Sequence, residues 1–266
     1  MTEIPASVII IAAGFGSRLM PLTENKPKCM LPVQSIPILH RALSTFDELG
    51  LDEITVIGGY QVENLILPSG VQLVINPEYQ SNNILHSLSY ARNEFAYGMD
   101  TVVSYADIVF AKRIVEELLS DSRGEISLLV DTRWKRRYDG RDLHIVADAE
   151  WANFDSNGRL LKIGKGLIES QVETDDWGEF IGLMKFTTKG ASIFWDTFEE
   201  INQQLKPDQS FQSAPEWQKS YLADLFQELV DRGIPVNCVP VEGGWEEIDT
   251  KEDYDCLLYT SDAADE

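Results

Sequence analysis

The first half of the chain alternates between apolar runs typical of buried strands and segments with the apolar spacing of helices. Residues 7–13 form the clearest strand, because one Val and three Ile in a row are typical of a strand buried on both faces of a parallel sheet. Similar runs predict strands at 53–57, 71–75, 101–104 and 126–130, with helices at 37–49, 83–94 and 113–119 between them. This order predicts an α/β fold with an open, mostly parallel mixed sheet and helices on both faces.

The second half has shorter strand patterns that follow one another closely. The turn signal SNG at 156–158 connects two of them, so residues 151–163 are predicted to form a β-hairpin. The patterns predict strands at 143–146, 150–155, 160–163, 180–187 and 236–241, and helices at 189–204 and 214–232. Since the sequence has no internal repeat and no long linker, we interpret residues 1–255 as one domain with a small β-rich insertion.

The final residues, 256–266, differ in composition from the rest of the chain. They follow a predicted helix start near Thr250 and end in small and acidic residues. Two interpretations stay open, a non-native segment such as a translated sequencing adapter or a frayed acidic tail. Neither gives these residues a place in a functional site.

The charge composition excludes two classes of binding protein. The chain has 44 acidic and 22 basic residues, which give a formal net charge of -22. General nucleic-acid binding and docking on an anionic membrane both need a basic face, so we expect neither. The chain is 44% hydrophobic, which is enough apolar material for a sizeable core and makes disorder an unsuitable interpretation.

Cysteine usage and the first residues indicate a cytoplasmic protein. Cys29, Cys238 and Cys256 are odd in number and widely spaced, which suits neither a disulfide framework nor a zinc site. No apolar run approaches the roughly 20 residues that span a membrane. The opening MTEIPASVIII lacks the basic region of a signal peptide.

A glycine turn with clustered cations follows the first strand. Gly14 and Gly16 let the backbone turn sharply and expose N–H groups to an anion. Arg18, Lys26 and Lys28 add three cations within eleven residues of a chain that is poor in bases. This pattern predicts a phosphate-binding loop. On these residues alone, a tight strand-to-helix turn with solvated basic side chains is the alternative.

The whole string at 12–33, AAGFGSRLMPLTENKPKCMLPV, resembles a family signature. It is similar to the A-A-G-x-G-[ST]-R-L-x-P-L-T-x-x-x-P-K motif of nucleotidyltransferases, which join a nucleoside monophosphate to a phosphorylated small molecule. The resemblance implies a Rossmann-like fold and gives Lys28 and Arg18 catalytic roles at the reacting phosphates. It implies that the nucleotide is bound by Ala12, Ala13, Gly14, Gly16, Ser17 and Arg18.

Two further segments extend the resemblance. GGY at 58–60 resembles the family's G-Y turn after the second strand, and NPEYQSNNILHSL at 76–88 resembles a segment of a CTP-dependent subgroup that acts on phosphocholine, 2-aminoethylphosphonate and related acceptors. The amides of Asn82 and Asn83 can act as donor and acceptor toward a pyrimidine, although Asn at a helix start is more commonly a cap. The resemblance adds Gly59, Tyr60, Asn82 and Ser87 to the nucleotide-binding residues.

Two acidic motifs predict a magnesium site. YADIVF at 105–110 resembles the family's G-D-x-x-F motif, with Ala106 in place of Gly, and GGWEEIDTKEDY at 243–254 resembles its W-x-E-I-D-T-x-x-D-L motif. The resemblance makes Asp107 and Asp249 the ligands of Mg²⁺, which prefers carboxylate oxygens beside a triphosphate. A cap of the last helix is the alternative role for Asp249.

Segments in the second half predict the acceptor site. IGKGL at 163–167 and GEFIGLMKF at 178–186 resemble the cytidylyltransferase subgroup, and the E-K-P element of the sugar-specific branch is missing. Four aromatic residues are candidates for a wall against an ammonium group, although packing is the alternative: Trp134, Tyr138, Trp177 and Trp245. The basic stretch 131–142 is either a flap that gathers anions or a solvated loop. The predicted acceptor-binding residues are Lys165, Glu179, Trp134, Tyr138, Trp245 and Glu247.

Together these features predict transfer of CMP from CTP to a small anionic phosphate or phosphonate acceptor, with release of pyrophosphate. The attacking oxygen is already anionic at neutral pH, so no general base is needed, and the sequence has no Ser-His or Cys-His nucleophile pairing. Two alternatives remain: a sugar-1-phosphate nucleotidyltransferase that uses UTP or dTTP, and a nucleotide-binding sensor without turnover. The acceptor and the formation of a homo-oligomer are left open.

Overall fold

A mixed sheet of nine strands forms the centre of the molecule. The computed structural model describes residues 6–95, 98–166 and 176–259. The strands are β1 Ala6–Ala12, β2 Pro32–Val33, β3 Ile36–Pro37, β4 Ile54–Gly58, β5 Gln72–Ile75, β6 Asp100–Tyr105, β7 Ile108–Phe110, β8 Ile126–Asp131, β9 Glu150–Phe154, β10 Leu160–Lys165, β11 Trp177–Phe186, β12 Asn237–Val241 and β13 Trp245–Glu247. The helices are α1 Ile38–Asp47, α2 Ile84–Ser89, α3 Lys112–Ser120, α4 Thr188–Gln204, α5 Leu222–Asp231 and α6 Lys251–Tyr259.

The first half of the chain forms a parallel unit in the order β6-β1-β4-β5. Strand β1 lies inside it, with Ile9 opposite Thr55 on β4 and Val103 on β6. Every residue of β1 is buried, as its unbroken apolar run predicts. The carboxyl ends of β1, β4 and β6 therefore open at the same edge of the sheet.

The second half is organised around β11, which is antiparallel to its neighbours β6, β8 and β9. Its register shifts between Phe180 and Met184, where Gly182 has a φ of 79°. A Cβ at Gly182 would lie 2.4 Å from the ring of Tyr105, so a glycine is needed there. Strand β12 pairs in parallel with β8, and the predicted hairpin is present as β9 and β10.

Helices cover both faces of the sheet, as predicted. On one face α1 and α3 pack with Val8 and Ile10, and on the other α2, α4 and α5 pack with Ile9 and Ile11. The alternation along β1 thus divides the core into two clusters, and the α/β class with a mixed sheet is confirmed.

Helix α6 packs against the N-terminal motif. Its residues Tyr254 and Leu257 belong to one buried cluster with Leu19 and Leu31 from the N-terminal motif. The helix continues beyond residue 255, where the sequence placed the end of the domain, and Leu257 is only 8% exposed. Residues 260–266 lie outside the described residues.

Three predicted elements differ in the structure. The helix predicted at 83–94 ends at Ser89. Residues 143–146 form no strand, and Leu143, Ile145 and Val146 stay exposed, so the apolar alternation has no sheet face to cover. Helix α5 begins at Leu222 rather than at 214. Its start is set by a capping box in which the Asp224 carboxylate accepts from the Tyr221 N–H.

None of the described helices is long and apolar enough to cross a membrane.

Candidate active site

A cavity of about 510 Å³ opens where the carboxyl ends of β1 and β6 meet the segment after β12. This is the edge where open α/β sheets place their ligands. Most of the residues singled out from the sequence line it. They are Ala12, Ala13, Gly14, Gly16, Ser17, Arg18, Lys28, Asn82, Ser87, Asp107, Lys165, Glu179, Trp245, Glu247 and Asp249.

The glycine loop after β1 brings the backbone close to Lys28. Gly16 has a φ of 59°, in the left-handed region that favours glycine, and its carbonyl accepts a hydrogen bond from the Thr23 hydroxyl. A Cβ at this position would lie 2.9 Å from the Cβ of Lys28. Glycine is therefore what allows the loop and the lysine to line one cavity.

Lys28 joins the two predicted metal-binding carboxylates. Its Nζ donates to Asp107 Oδ2 at 2.9 Å and to Asp249 Oδ1 at 2.8 Å. Burial by itself would lower the pKa of Lys28, but the carboxylates of Asp107 and Asp249 outweigh it and raise the pKa above its ordinary value. Lys28 is therefore a permanent cation in this cavity.

Arg18 lies at the more open side of the cavity. It forms ion pairs with Asp249 and, at 3.1 Å, with Asp148. Asp148 was not predicted as a site residue, since nothing in the sequence around it resembles a motif. Its carboxylate lines the cavity as a counter-ion for the arginine.

Three carboxylates are close enough to share one cation. Ligand oxygens of Asp107, Glu247 and Asp249 all lie within 4.8 Å of one another. Asp107 Oδ1 is buried without a hydrogen-bond partner in the described part of the chain, so it has a free coordination position. Burial, together with Asp107 and Asp249, raises the pKa of Glu247 to about 8. A set of hard oxygen donors fits Mg²⁺.

Glu247, which the sequence predicted to bind the acceptor, lies beside Asp107 and Asp249 in the acidic group. The antiparallel pair β7 and β13 explains this placement, because Ile108 pairs with Glu247 and so puts it next to Asp107. These strands have three residues each, too short for their pattern to be seen in the sequence.

The two neighbouring asparagines both line the cavity but have different environments. Asn83 caps α2, with its side chain accepting from the Ile84 N–H at 2.9 Å. Asn82 lines the cavity and exchanges two hydrogen bonds with Asn76, which also donates to Ser87 Oγ at 2.8 Å. Asn82 therefore keeps one spare donor and one spare acceptor.

Gly59 and Tyr60 support the glycine loop from behind and do not line the cavity. The N–H of Tyr60 donates to the Ala13 carbonyl at 3.1 Å, and its ring stacks on Phe15 with centroids 4.5 Å apart. A Cβ at Gly59 would lie 2.7 Å from the same carbonyl oxygen. Their contact with the site passes through Ala13 and Phe15.

Charged groups of both signs form the end of the cavity near β9, β10 and β11. We call it the acceptor end, after the residues that the sequence predicted to bind the acceptor. Lys165 Nζ lies 3.9 Å from Glu150 Oε1 and 4.4 Å from the centre of the Tyr221 ring. Glu179 Oε1 accepts a 2.6 Å hydrogen bond from the Tyr138 hydroxyl. Burial raises the pKa of Glu179 to about 7. Glu150 and Tyr221 were missed because no motif marks them.

The predicted aromatic wall is placed differently. Trp134 is 1% exposed and packs on Trp151 and Trp177, away from the cavity. Tyr138 reaches the cavity only through its hydrogen bond to Glu179. In the basic stretch around them, the Arg137 side chain is not solvated. It is buried against Glu179 and Glu246.

Two proteins with similar sequences are named as cytidylyltransferases. A CTP:phosphoglutamine cytidylyltransferase from Campylobacter jejuni is 28% identical over 260 residues, which cover 95% of this chain and 99% of that protein. A choline-phosphate cytidylyltransferase from Haemophilus influenzae is 26% identical over 77% of this chain and 91% of its own length.

Solved structures share the fold. The CTP:phosphocholine cytidylyltransferase of Streptococcus pneumoniae superposes with a TM-score of 0.68 at 21% identity, covering 96% of this chain and 98% of that chain. The inositol-1-phosphate CTP transferase of T. maritima gives 0.70 at 18% identity, with 96% and 95% covered. The family described as the MobA-like NTP transferase domain matches residues 8–164, more than half of the sequence. The chain therefore belongs to the MobA-like nucleotidyltransferase family, as its first motif indicated.

Proposed function

We propose that this protein is a cytidylyltransferase that transfers CMP from CTP to a small phosphorylated or phosphonate acceptor. The observation that carries the proposal is the position of Lys28, which is buried between Asp107 and Asp249 beneath the glycine loop. A cation and paired carboxylates at the end of a phosphate-binding strand suit a nucleoside triphosphate. The names of the relatives supply the base, cytosine, and the class of acceptor.

The reaction needs positioning and charge stabilisation more than proton transfer. An oxygen of the acceptor phosphate attacks the α-phosphorus of CTP, a new P–O bond forms, and the bond to the departing pyrophosphate breaks. Lys28 and Arg18 would each exchange a carboxylate for a phosphate oxygen when CTP binds, since both are paired with acids in the free protein. Their charges then oppose the charge that develops on the reacting phosphates.

The acidic group of Asp107, Glu247 and Asp249 would hold Mg²⁺. When bound, Mg²⁺ would neutralise charge on the phosphate oxygens. The residues of this chain contribute the oxygen ligands, and Asp107 Oδ1 has a free position for one such contact. Release of Asp107 and Asp249 from Lys28 would make further carboxylate oxygens available.

The nucleotide would lie between the glycine loop and the start of α2. Asn82, fixed by Asn76, has a spare donor and a spare acceptor, which suits the edge of cytosine. The acceptor would lie at the other end of the cavity, where Lys165 offers a cation to its phosphate and Glu150 and Glu179 face its remaining groups.

Pyrophosphate release tests the proposal. The assay crosses CTP, UTP, dTTP, ATP and GTP with phosphoglutamine, phosphocholine, 2-aminoethylphosphonate, inositol phosphate and glucose 1-phosphate in the presence of Mg²⁺. We expect release with CTP and an amine-bearing acceptor. Release with UTP or dTTP and glucose 1-phosphate would instead assign the protein to the sugar-1-phosphate branch. CTP binding without release for any acceptor would support a sensor and overturn the proposal.

A further inference from the structure

Two aromatic rings at the acceptor end are already in cation–π contact with cationic side chains of the protein itself. The guanidinium of Arg137 lies 3.7 Å from the centre of the Trp245 ring, and the ammonium of Lys165 lies 4.4 Å from that of Tyr221. Open aromatic faces are the usual means of recognising a quaternary ammonium group. A ligand of that kind would have to displace Arg137 or Lys165, and both are held by carboxylates as well.

Three of the rings predicted for an ammonium wall are packed on one another. Trp134 has its ring centre 5.3 Å from that of Trp177 and 5.6 Å from that of Tyr138. None of the three lines the cavity in the described part of the chain. Among the described residues, these three rings therefore contribute no aromatic box for a trimethylammonium group at the acceptor end.

Glu179 offers a different kind of recognition. It lines the cavity at 3% exposure, and its Oε2 has no hydrogen-bond partner among the described residues. Arg137 lies 3.5 Å from this oxygen and contributes an ion pair without hydrogen-bond geometry. A buried carboxylate oxygen without a hydrogen-bond partner is stabilised most by an N–H donor. A primary ammonium offers three such donors, and a quaternary one offers none.

We propose that the acceptor carries a primary ammonium group that donates to Glu179, and that the site discriminates against quaternary ammonium compounds. The acceptor class is then an aminoalkyl phosphate or phosphonate, or a phosphorylated amino acid. This inference rests on the proposed cytidylyl transfer and narrows its acceptor.

Matched acceptors test the inference on the unmodified protein. Phosphoethanolamine and phosphocholine differ only in methylation of the nitrogen, and so do 2-aminoethylphosphonate and its N-trimethyl analogue. With CTP and Mg²⁺, we expect kcat/KM for the primary amine of each pair to exceed that of the quaternary one by at least about tenfold, since the analogue leaves a buried acceptor unpaired. Equal values, or a preference for the quaternary compound, would overturn the inference and leave the cytidylyl transfer standing. Lack of turnover with every acceptor would overturn the transfer itself, and the inference with it.

Two variants test the part played by Glu179. Glu179→Gln keeps the shape and an acceptor for Tyr138 but removes the charge, so kcat/KM should fall at least about tenfold for the primary amines and little for the quaternary ones. Glu246→Gln is the matched control, because Glu246 also pairs with Arg137, at 3.2 Å, but does not line the cavity. It should keep the wild-type preference. An equal loss of preference in both variants would show that Arg137, and not Glu179, sets it.

Discussion

Lys28 separates two carboxylates that would otherwise repel each other inside the cavity. Its Nζ donates to both Asp107 and Asp249, and the lysine is only 9% exposed. In Lys28→Ala we expect turnover to fall by about 10²–10³-fold, as for loss of one preorganised charge contact at a reacting group. We also expect a lower melting temperature that Mg²⁺ restores, because the cation would take over the neutralisation of both acids. Pyrophosphate release and thermal unfolding with and without Mg²⁺ measure the two effects.

The control for this variant is in the same motif. Lys26→Ala removes an exposed lysine that does not line the cavity, so both measurements should stay close to wild type. Turnover of Lys28→Ala close to that of Lys26→Ala would remove Lys28 from the mechanism.

Glu179 also gives the stability of the free protein a pH dependence. Burial raises its pKa to about 7 from an ordinary value of 4.5, so the folded state favours the protonated form. The stabilisation is fully present below pH 4.5 and is lost as the pH rises through 7. Glu179→Gln cannot titrate, and its unfolding free energy in urea should therefore decrease less than that of wild type between pH 5 and 8. The expected difference is on the order of 2 kcal/mol, and equal slopes would contradict it.

At the scale of residues, sequence reasoning identified residues that line the cavity where a side chain is part of a continuous motif. Lys28, Asp107 and Asp249 could be found because each belongs to a distinctive sequence motif, and the structure brings them together. Asp148 and Glu150 could not, because they enter the cavity through the packing of a segment that carries no motif. They are recognised from the structure instead, because Asp148 pairs with Arg18 and Glu150 pairs with Lys165.

At the scale of elements, the turn after β4 fixes the loop after β1. Gly59→Ala would place a Cβ 2.7 Å from the Ala13 carbonyl oxygen and 2.8 Å from the Tyr79 side chain. We expect a loss of about 1–3 kcal/mol of stability and a higher KM for CTP, because the displaced Ala13 begins the glycine loop. Urea unfolding and pyrophosphate kinetics measure both effects.

The comparison for this variant is another glycine of the site. At Gly14 an added Cβ would meet nothing within 4 Å, so Gly14→Ala should leave the unfolding free energy close to wild type. A Gly59→Ala protein as stable as Gly14→Ala would show that the two loops are not tightly packed.

Element predictions held where apolar periodicity was matched by burial. Strands β1 and β4 are buried throughout, so pattern and packing agree. Residues 143–146 are also mostly apolar, but the N–H groups of Asp142 and Leu143 donate to the Glu252 carboxylate, and Leu143, Ile145 and Val146 stay exposed. Hydrophobic pattern shows that a strand can form, and tertiary contacts decide whether a neighbouring strand is available.

At the scale of the whole molecule, the site depends on the contact between the N-terminal motif and the last helix, α6. Asp249 is held by α6, because the Asp253 carboxylate accepts from the N–H groups of Asp249 and Thr250 at 3.0 and 2.7 Å. The helix is in turn held by Leu257, which packs in one buried cluster with Leu19 of the N-terminal motif. The residues that close the fold are therefore the ones that place a carboxylate beside Lys28.

Shortened chains test this dependence. A chain that ends at residue 255 lacks Leu257, and we expect it to lose about 2–4 kcal/mol of stability and to need more Mg²⁺ for turnover, because α6 no longer fixes Asp249. Leu257→Ala in the full chain should reproduce most of both effects. A chain that ends at Tyr259 keeps the cluster and should behave like wild type in urea unfolding and in Mg²⁺ titrations of pyrophosphate release. If ending the chain at 255 lowered stability without changing the Mg²⁺ requirement, the helix would stabilise the fold without positioning Asp249.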